Sequence, residues 1–364
     1  MMVEYREQVE QYLASVFGKP VQLIRILEMG AEPGEKELKG FGYGKPYLID
    51  YIFEGQQHSA VLSSMRVQKG FGHDHFADRA GVMIWQNAAF NVLPKHVRSI
   101  DVGFFTEYGG LKSAGDADEF FILMDRIGGL EYYRDLDRIR DTGIFHQMDL
   151  DRAKALSDYL AYIHAQKHDD PVLYKRRIRE LIGSGECIMG LNDSYPDNFE
   201  FYSKKDFERM EKKCVQWRWK LCNGTHRLCV VHGDFHPWNI MFRNDVDFTV
   251  LDRSRGEYGE AADDVSCMSL NYIFYSLQKY GKLDKEFEQL YDTFMKNYLI
   301  KSEDPEILKI MPPFFAFRAL VVASPLWYPN LDRSVREKLF SFIDNVLDAE
   351  EFDYEHVNDY FKRR

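Results

Sequence analysis

The chain has 364 residues, and its 58 aspartates and glutamates against 47 lysines and arginines leave a formal charge of −11. With 45% hydrophobic, 29% charged and 15% aromatic residues it has the composition of a folded chain, long enough for two lobes and a large core, which excludes disorder and fibrous repeats. Net acidity with no basic block longer than Lys362-Arg363-Arg364 argues against a nucleic-acid partner, which would need basic surface to meet phosphates.

The first expected element is an amphipathic helix over residues 1–17, with Val9, Leu13 and Val16 on one face and none of the continuous apolar run of a signal peptide. Short β-rich runs follow at Val21 to Leu27, Tyr47 to Phe53, His58 to Ser63 and Phe120 to Met124, which predicts an antiparallel sheet. A helix from Phe76 to Leu93, stopped by Pro94, interrupts it. From about Leu150 the spacing becomes helical: Leu156, Leu160 and Ile163; Phe207, Met210, Cys214 and Trp217; Leu270, Ile273, Phe274 and Leu277 before Gly281. Trp217 joins its apolar stripe, whereas Trp219, two positions on, faces elsewhere. The crossover at Met124 to Gly129 carries two glycines able to form a hinge, so the expected domains are 1–128 and 129–364. The apolar stretch near Ala319 to Trp327 is too short to span a bilayer and is broken by Pro325, so no membrane is expected. Five cysteines without a CxxC predict reduced thiols and a cytoplasmic location. The oligomeric state is not legible.

The informative segment is Leu228 to Met268. An apolar run leads into the polar loop His232-Gly233-Asp234-Phe235-His236-Pro237-Trp238-Asn239, and a hairpin then folds Asp252 back towards Asn239 and Asp234. A carboxylate that accepts a proton, with a second carboxylate and a carboxamide oxygen that hold a hard cation, suits phosphorylation of a hydroxyl by Mg²⁺-ATP. At about 4 Å and an effective dielectric near 20, each unit charge pair in such a site is worth on the order of 4 kcal/mol.

HGDxHxxN, a hydrophobic strand, an Asp and then GxYGxxxxD resemble the catalytic signature of the aminoglycoside phosphotransferase and choline kinase-like family, distant relatives of protein kinases. FILMDRIGG is similar to that family's hinge strand, and LAYIHA (Leu160 to Ala165) to the helix before its catalytic loop. The resemblance implies an α+β, two-lobed protein kinase-like fold with a small antiparallel-sheet N-lobe and a larger, mostly helical C-lobe. It implies Asp234 as catalytic base, His232 as organiser of the loop, and Asn239 and Asp252 as Mg²⁺ ligands. The backbone around Asp125 to Ile127 would meet the adenine of ATP, with GTP left open. Asp264 would be structural, capping a helix or bracing the loop.

Two departures stand out. The family's third strand carries a lysine paired with a glutamate on the next helix; here the strand reads Ala60 to Arg66 with serine at that place, and the helix has no glutamate. Arg66, held by Asp78, is the expected substitute as a phosphate contact. The segment Lys39 to Gly44 has glycines, Gly40 and Gly42 among them, that could admit phosphate to backbone N–H groups or serve a hairpin turn. Arg253, after the metal aspartate, faces substrate or γ-phosphate or neutralises nearby acids. Glu257, Glu260 and Asp263 are either solvated or recognise an amine, so the expected partner is a small hydroxylated molecule, cationic in the second case. His236 is expected to bond the backbone rather than phosphate, and His73-Asp74-His75 to be surface loop, lacking a third ligand. The alternative to a kinase is a catalytically weakened kinase-like protein that binds nucleotide or a partner. A metal-dependent phosphoesterase would need further His and Asp clusters, which are missing from the sequence.

Overall fold

The first helix, α1 (Arg6–Phe17), buries Val9 and Leu13 on one face and stops at Gly18, whose φ of 67° is the left-handed cap that glycine adopts without a Cβ clash. The computed structural model describes residues 5–29, 44–67 and 71–363. It divides the chain into two compact units, residues 1–124 and 125–364.

In the first unit, β1 (Val21–Glu28), β2 (Gly44–Phe53) and β3 (Gln56–Met65) form an antiparallel sheet in that order. The β2–β3 connection is the two-residue turn Glu54-Gly55, with φ of 50° and 78°, the doubly positive geometry that matches strand twist. Val21, Leu23, Ile26, Ile49 and Tyr51 join Val9 and Leu13 in a small core. The helix α2 (Phe76–Phe90) starts in a capping box of His75 and Asp78. It ends before Leu93, and none of its residues is buried. A short hairpin, β4 (Gly103–Phe105) with β5 (Leu111–Ser113), was not expected from the sequence.

The strand expected at Phe120 to Met124 does not form. A strand needs a partner edge for its backbone groups, and no described strand pairs with this segment, so its five apolar side chains stand exposed.

The second unit opens with β6 (Leu130–Glu131), α3 (Tyr133–Thr142), α4 (Gln147–His164), α5 (Pro171–Gly183), α6 (Ile188–Ser194) and α7 (Lys204–Leu221). The strands β7 (Cys229–Val230), β8 (Ile240–Phe242), β9 (Phe248–Val250) and β10 (Tyr258–Gly259) follow, and then α8 (Ala261–Tyr280), α9 (Lys285–Ser302), α10 (Ile307–Ala323) and α11 (Arg333–Asp348). Trp217 is buried and Trp219 exposed, as the stripe on α7 predicts. Gly129 fixes the entrance to this unit: its φ is 135°, and a Cβ there would lie 2.6 Å from the Phe242 carbonyl oxygen. The glycine therefore admits β6 against β8 by close backbone approach, where the sequence suggested a hinge.

Helix α8 is buried on all sides from Asp264 to Leu277, as an axial helix must be when others surround it. Buried Arg227 ties α8's N-cap to the turn before α10, through Glu260 (2.9 Å) and Asp304 (2.8 Å). A small-sheet unit followed by a larger helical one is the α+β division that the sequence led us to expect. Phe315 on α10, fully buried against Phe342 and Phe352, tests the helical core. Phe315→Ala is expected to lower unfolding free energy by about 3–5 kcal/mol in denaturant titration.

Candidate active site

The loop from His232 to Asn239 leaves the β7 strand and enters β8, and its start hangs on one carboxylate. Asp264, wholly buried in the first turn of α8, accepts the backbone N–H of His232 and that of Gly233, both at 2.7 Å. Its Oδ2 also lies 3.1 Å from His164 Nε2 on α4. The carboxylate can only accept, so His164 carries its proton on Nε2, and its Nδ1 accepts from the Tyr298 hydroxyl of α9 at 2.8 Å. Burial alone would raise the Asp264 carboxyl; the hydrogen bonds it accepts from His164 and from the His232 backbone reverse this and hold it below its usual range.

Gly233 sits at φ 86°, and a Cβ there would press within 3.1 Å of Arg255 Cβ, so the turn requires glycine. His232 is buried. Its Nε2 donates to the Leu251 carbonyl at 2.8 Å while its Nδ1 accepts the Asp234 N–H at 3.3 Å. The ring thus links the loop to the end of the β8–β9 hairpin, next to Asp252.

Asp234 faces an arginine and a histidine. Arg318 of α10 donates from Nη1 to its Oδ1 at 2.5 Å, and His236 Nε2 lies 3.4 Å from its Oδ2. Desolvation would raise this carboxyl, but the His236 hydrogen bond and the charges of Arg318 and Arg255 outweigh it and hold the group far below the ordinary carboxylate range. Arg318 is only 4% exposed and is spent on the loop: it also donates to the Gly233 carbonyl (2.8 Å) and to Asp263 Oδ1 (2.6 Å).

Asn239 donates from Nδ2 to the Asp234 carbonyl at 3.1 Å, which fixes the amide and leaves its oxygen as the end available to a cation. The Leu251 N–H bonds the Asn239 carbonyl at 2.8 Å, so the residue before Asp252 is fastened to Asn239. Asp252 itself is exposed, with φ of 53°, a left-handed backbone that a branched side chain would resist. His236 caps the turn after it, accepting the Trp238 N–H on Nδ1.

Asp234 and His236 border a cavity of about 500 Å³ in the second unit, lined also by Arg318, Trp238, Trp327, Tyr328 and Asn271 among others. Asn271 is buried; its Nδ2 bonds the Cys267 carbonyl at 2.8 Å, and its Oδ1 has no partner.

The structure thus brings His232, Asp234, Asn239 and the approach to Asp252 together. Asp125 and Ile127 lie in the irregular stretch that begins the second unit, and Arg66 is exposed just past β3 in the first. Gly40 and Gly42 lie outside the described residues. The Asp78 carboxylate accepts the His75 N–H at the start of α2. Two expectations need correction. Arg253 donates to the carbonyls of Val231 and Glu257 at 2.9 and 2.7 Å, so it braces backbone, and its neighbour Arg255 borders the cavity with Arg318. Glu260 is paired with Arg227 and Asp263 with Arg318, which removes both from recognition of an amine.

Arg318 and Asn271 are the residues that sequence reading missed. A single arginine within the apolar run of α10 was the available signal, because a charge in such a helix must be paired. Asn271 sits among the apolar positions of α8 and offered a similar, weaker one.

Residues 108–279 match the model of a family described as the phosphotransferase enzyme family. That segment contains the loop and hairpin motifs on which the sequence resemblance rests. No curated protein matches the chain. Solved structures similar to it include an amicoumacin kinase in complex with AMP-PNP and Ca²⁺, 17% identical over 86% of this chain and 89% of its own, with a TM-score of 0.43. A glucosamine kinase in complex with glucosamine, ADP and inorganic phosphate is 17% identical over 60% of this chain and 61% of its own, at 0.35. An ethanolamine kinase of Plasmodium vivax is 12% identical over 94% and 79%, at 0.37. Likenesses this distant carry no argument about the substrate.

Removal of the Asp264 carboxylate tests the brace. Asp264→Ala leaves two buried N–H groups unpaired, at about 1–3 kcal/mol each. The expected result is a lower Tm with faster hydrogen exchange at His232 and Gly233.

Proposed function

We propose that the protein is a nucleotide-dependent kinase that phosphorylates a hydroxyl of a small molecule. The observation that carries this reading is the braced loop: one buried carboxylate orients a second, Asp234, at the wall of a cavity, with a fixed carboxamide beside it. In this reading the acceptor hydroxyl gives its proton to Asp234 as its oxygen bonds the γ-phosphorus and the bond to the nucleoside diphosphate breaks.

The donor set fits a magnesium ion. Among the described residues no three His, Cys, Asp or Glu side chains cluster as a closed metal site. Asn239 and Asp252 supply one carboxamide and one carboxylate oxygen, the sparse protein share of a Mg²⁺ that takes phosphate oxygens and water for the rest. Such an ion neutralises phosphate charge against the incoming hydroxyl. The backbone groups of Asp125 and Ile127, which pair with no other described backbone, are the proposed adenine contacts of ATP, with GTP left open. Arg66 is the proposed phosphate contact. The acceptor occupies the second-unit cavity, where Asn271 Oδ1 lacks a donor.

A second reading, a weakened kinase-like nucleotide or partner binder, is favoured by the missing lysine and glutamate and by the arginine already seated on Asp234. A coupled assay for ADP with Mg²⁺-ATP and a panel of sugars, amino alcohols and aminoglycosides separates the two. The kinase reading expects turnover that chelation abolishes and that Asp234→Asn lowers by about 10²–10⁴-fold. Nucleotide binding that is indifferent to Mg²⁺, with no turnover, favours the second. Arg66→Ala is expected to weaken ATP binding by about tenfold, the loss of one charge-assisted contact, measured by calorimetry. Unchanged affinity removes Arg66 from the site.

A further inference from the structure

The guanidinium of Arg318 joins Asp263 Oδ1, the Gly233 carbonyl and Asp234 Oδ1, with distances of 2.6, 2.8 and 2.5 Å. It reaches the loop from α10, far along the chain from the signature that contains Asp234. Its planar fork can satisfy three acceptors at once only in one orientation, so it fixes where Asp234 Oδ1 stands. The other oxygen, Oδ2, carries only the longer 3.4 Å contact to His236 Nε2 and keeps a lone pair for a second donor. We propose that Arg318 is the positioning residue of the transfer reaction: it immobilises Asp234 Oδ1 so that Oδ2 alone receives the acceptor's hydroxyl proton. Asp263, on the opposite side of the guanidinium, holds Arg318 in place for this task.

The chemistry favours such an arrangement. Phosphoryl transfer proceeds through a loose transition state in which catalysis comes mostly from placement, so orientation of the accepting oxygen counts for more than its basicity. A carboxylate held by an arginine and an imidazole is a poor base and a well-placed one. Proton and phosphoryl group balance without any further reactant: the O–H bond of the acceptor breaks, the proton moves to Oδ2, the new O–P bond forms and the nucleoside diphosphate leaves. Burial of the arginine gives the arrangement its rigidity, because a guanidinium cut off from water has no alternative partner to wait on.

This inference rests on the kinase reading for its kinetic consequence and on geometry alone for its structural one, so the two can fail separately. Arg318→Lys keeps the charge and loses the fork; Arg318→Gln loses both; Asp263→Asn loosens the arginine without touching Asp234. The expected kinetics are a fall in kcat of about 10-fold or more for Arg318→Lys and a larger fall for Arg318→Gln, with nucleotide KM within twofold. Asp263→Asn should lower kcat by a smaller factor, and the double variant with Arg318→Gln should be no slower than Arg318→Gln alone, because both act on one constraint. A crystal structure of Arg318→Lys should show Asp234 displaced from its present rotamer. Retained kcat in both Arg318 variants, full additivity with Asp263→Asn, or an unmoved Asp234 would overturn the proposal. Should the wild-type protein transfer no phosphate at all, the kinase reading fails, and the position of Asp234 in the Arg318→Lys crystal still decides the structural claim.

Discussion

Everything that Asp234 does depends on a carboxylate that touches no substrate. Asp264 is buried, and an ionised group without partners there would cost several kcal/mol. Its partners are two loop N–H groups and a histidine, so the force that keeps the charge tolerable also dictates the course of the loop. Because Asp264 stands on α8 and His164 on α4, with Tyr298 of α9 behind it, the loop is tied to three helices of the core. A loop of this kind would otherwise be the most mobile part of such a unit.

The same economy of charge recurs one layer out. Arg318 brings a cation into an apolar helix, and Asp263 and Asp234 neutralise it. The two acids pay different consequences of burial. Asp263 is pushed up by desolvation against the pull of Arg318 and Arg255, whereas Asp234, with His236 as well, is pulled down. Asp234 therefore stays ionised well into acid solution. Its contribution to stability is present above the pKa of an unfolded aspartate and is lost as pH falls through the lower folded value. The cavity beside this cluster combines aromatic walls with few unpaired polar atoms, the usual make-up of a small-molecule site.

Much of this was legible in the sequence, for reasons that differ from residue to residue. The three main strands and α1 follow from alternation and helical spacing, which local geometry alone imposes. Asp234, Asn239, His232 and Asp252 stood out because a short loop and a hairpin keep them within a few residues of one another, so sequence order already constrains them. Phe120 to Met124 failed as a strand because β-propensity says nothing about whether a partner edge is present. Arg253 and Arg255 are two positions apart with equal claims on paper; only the carbonyls of Val231 and Glu257 separate the brace from the residue beside the cavity.

By itself the sequence determined the α+β division, the acidic character of its composition, and the residues of the polar loop from His232 to Asn239. Each is a property of composition or of neighbours in the chain. Only the tertiary structure decided that Asp264 braces the loop through His232 and Gly233, that Glu260 and Asp263 are committed to arginines, and that Arg318 and Asn271 border the cavity. Those pairings join residues from 31 to 85 positions apart. Which distant charge meets which is settled by the cost of burying either one alone, and that cost exists only once the helices have closed around them.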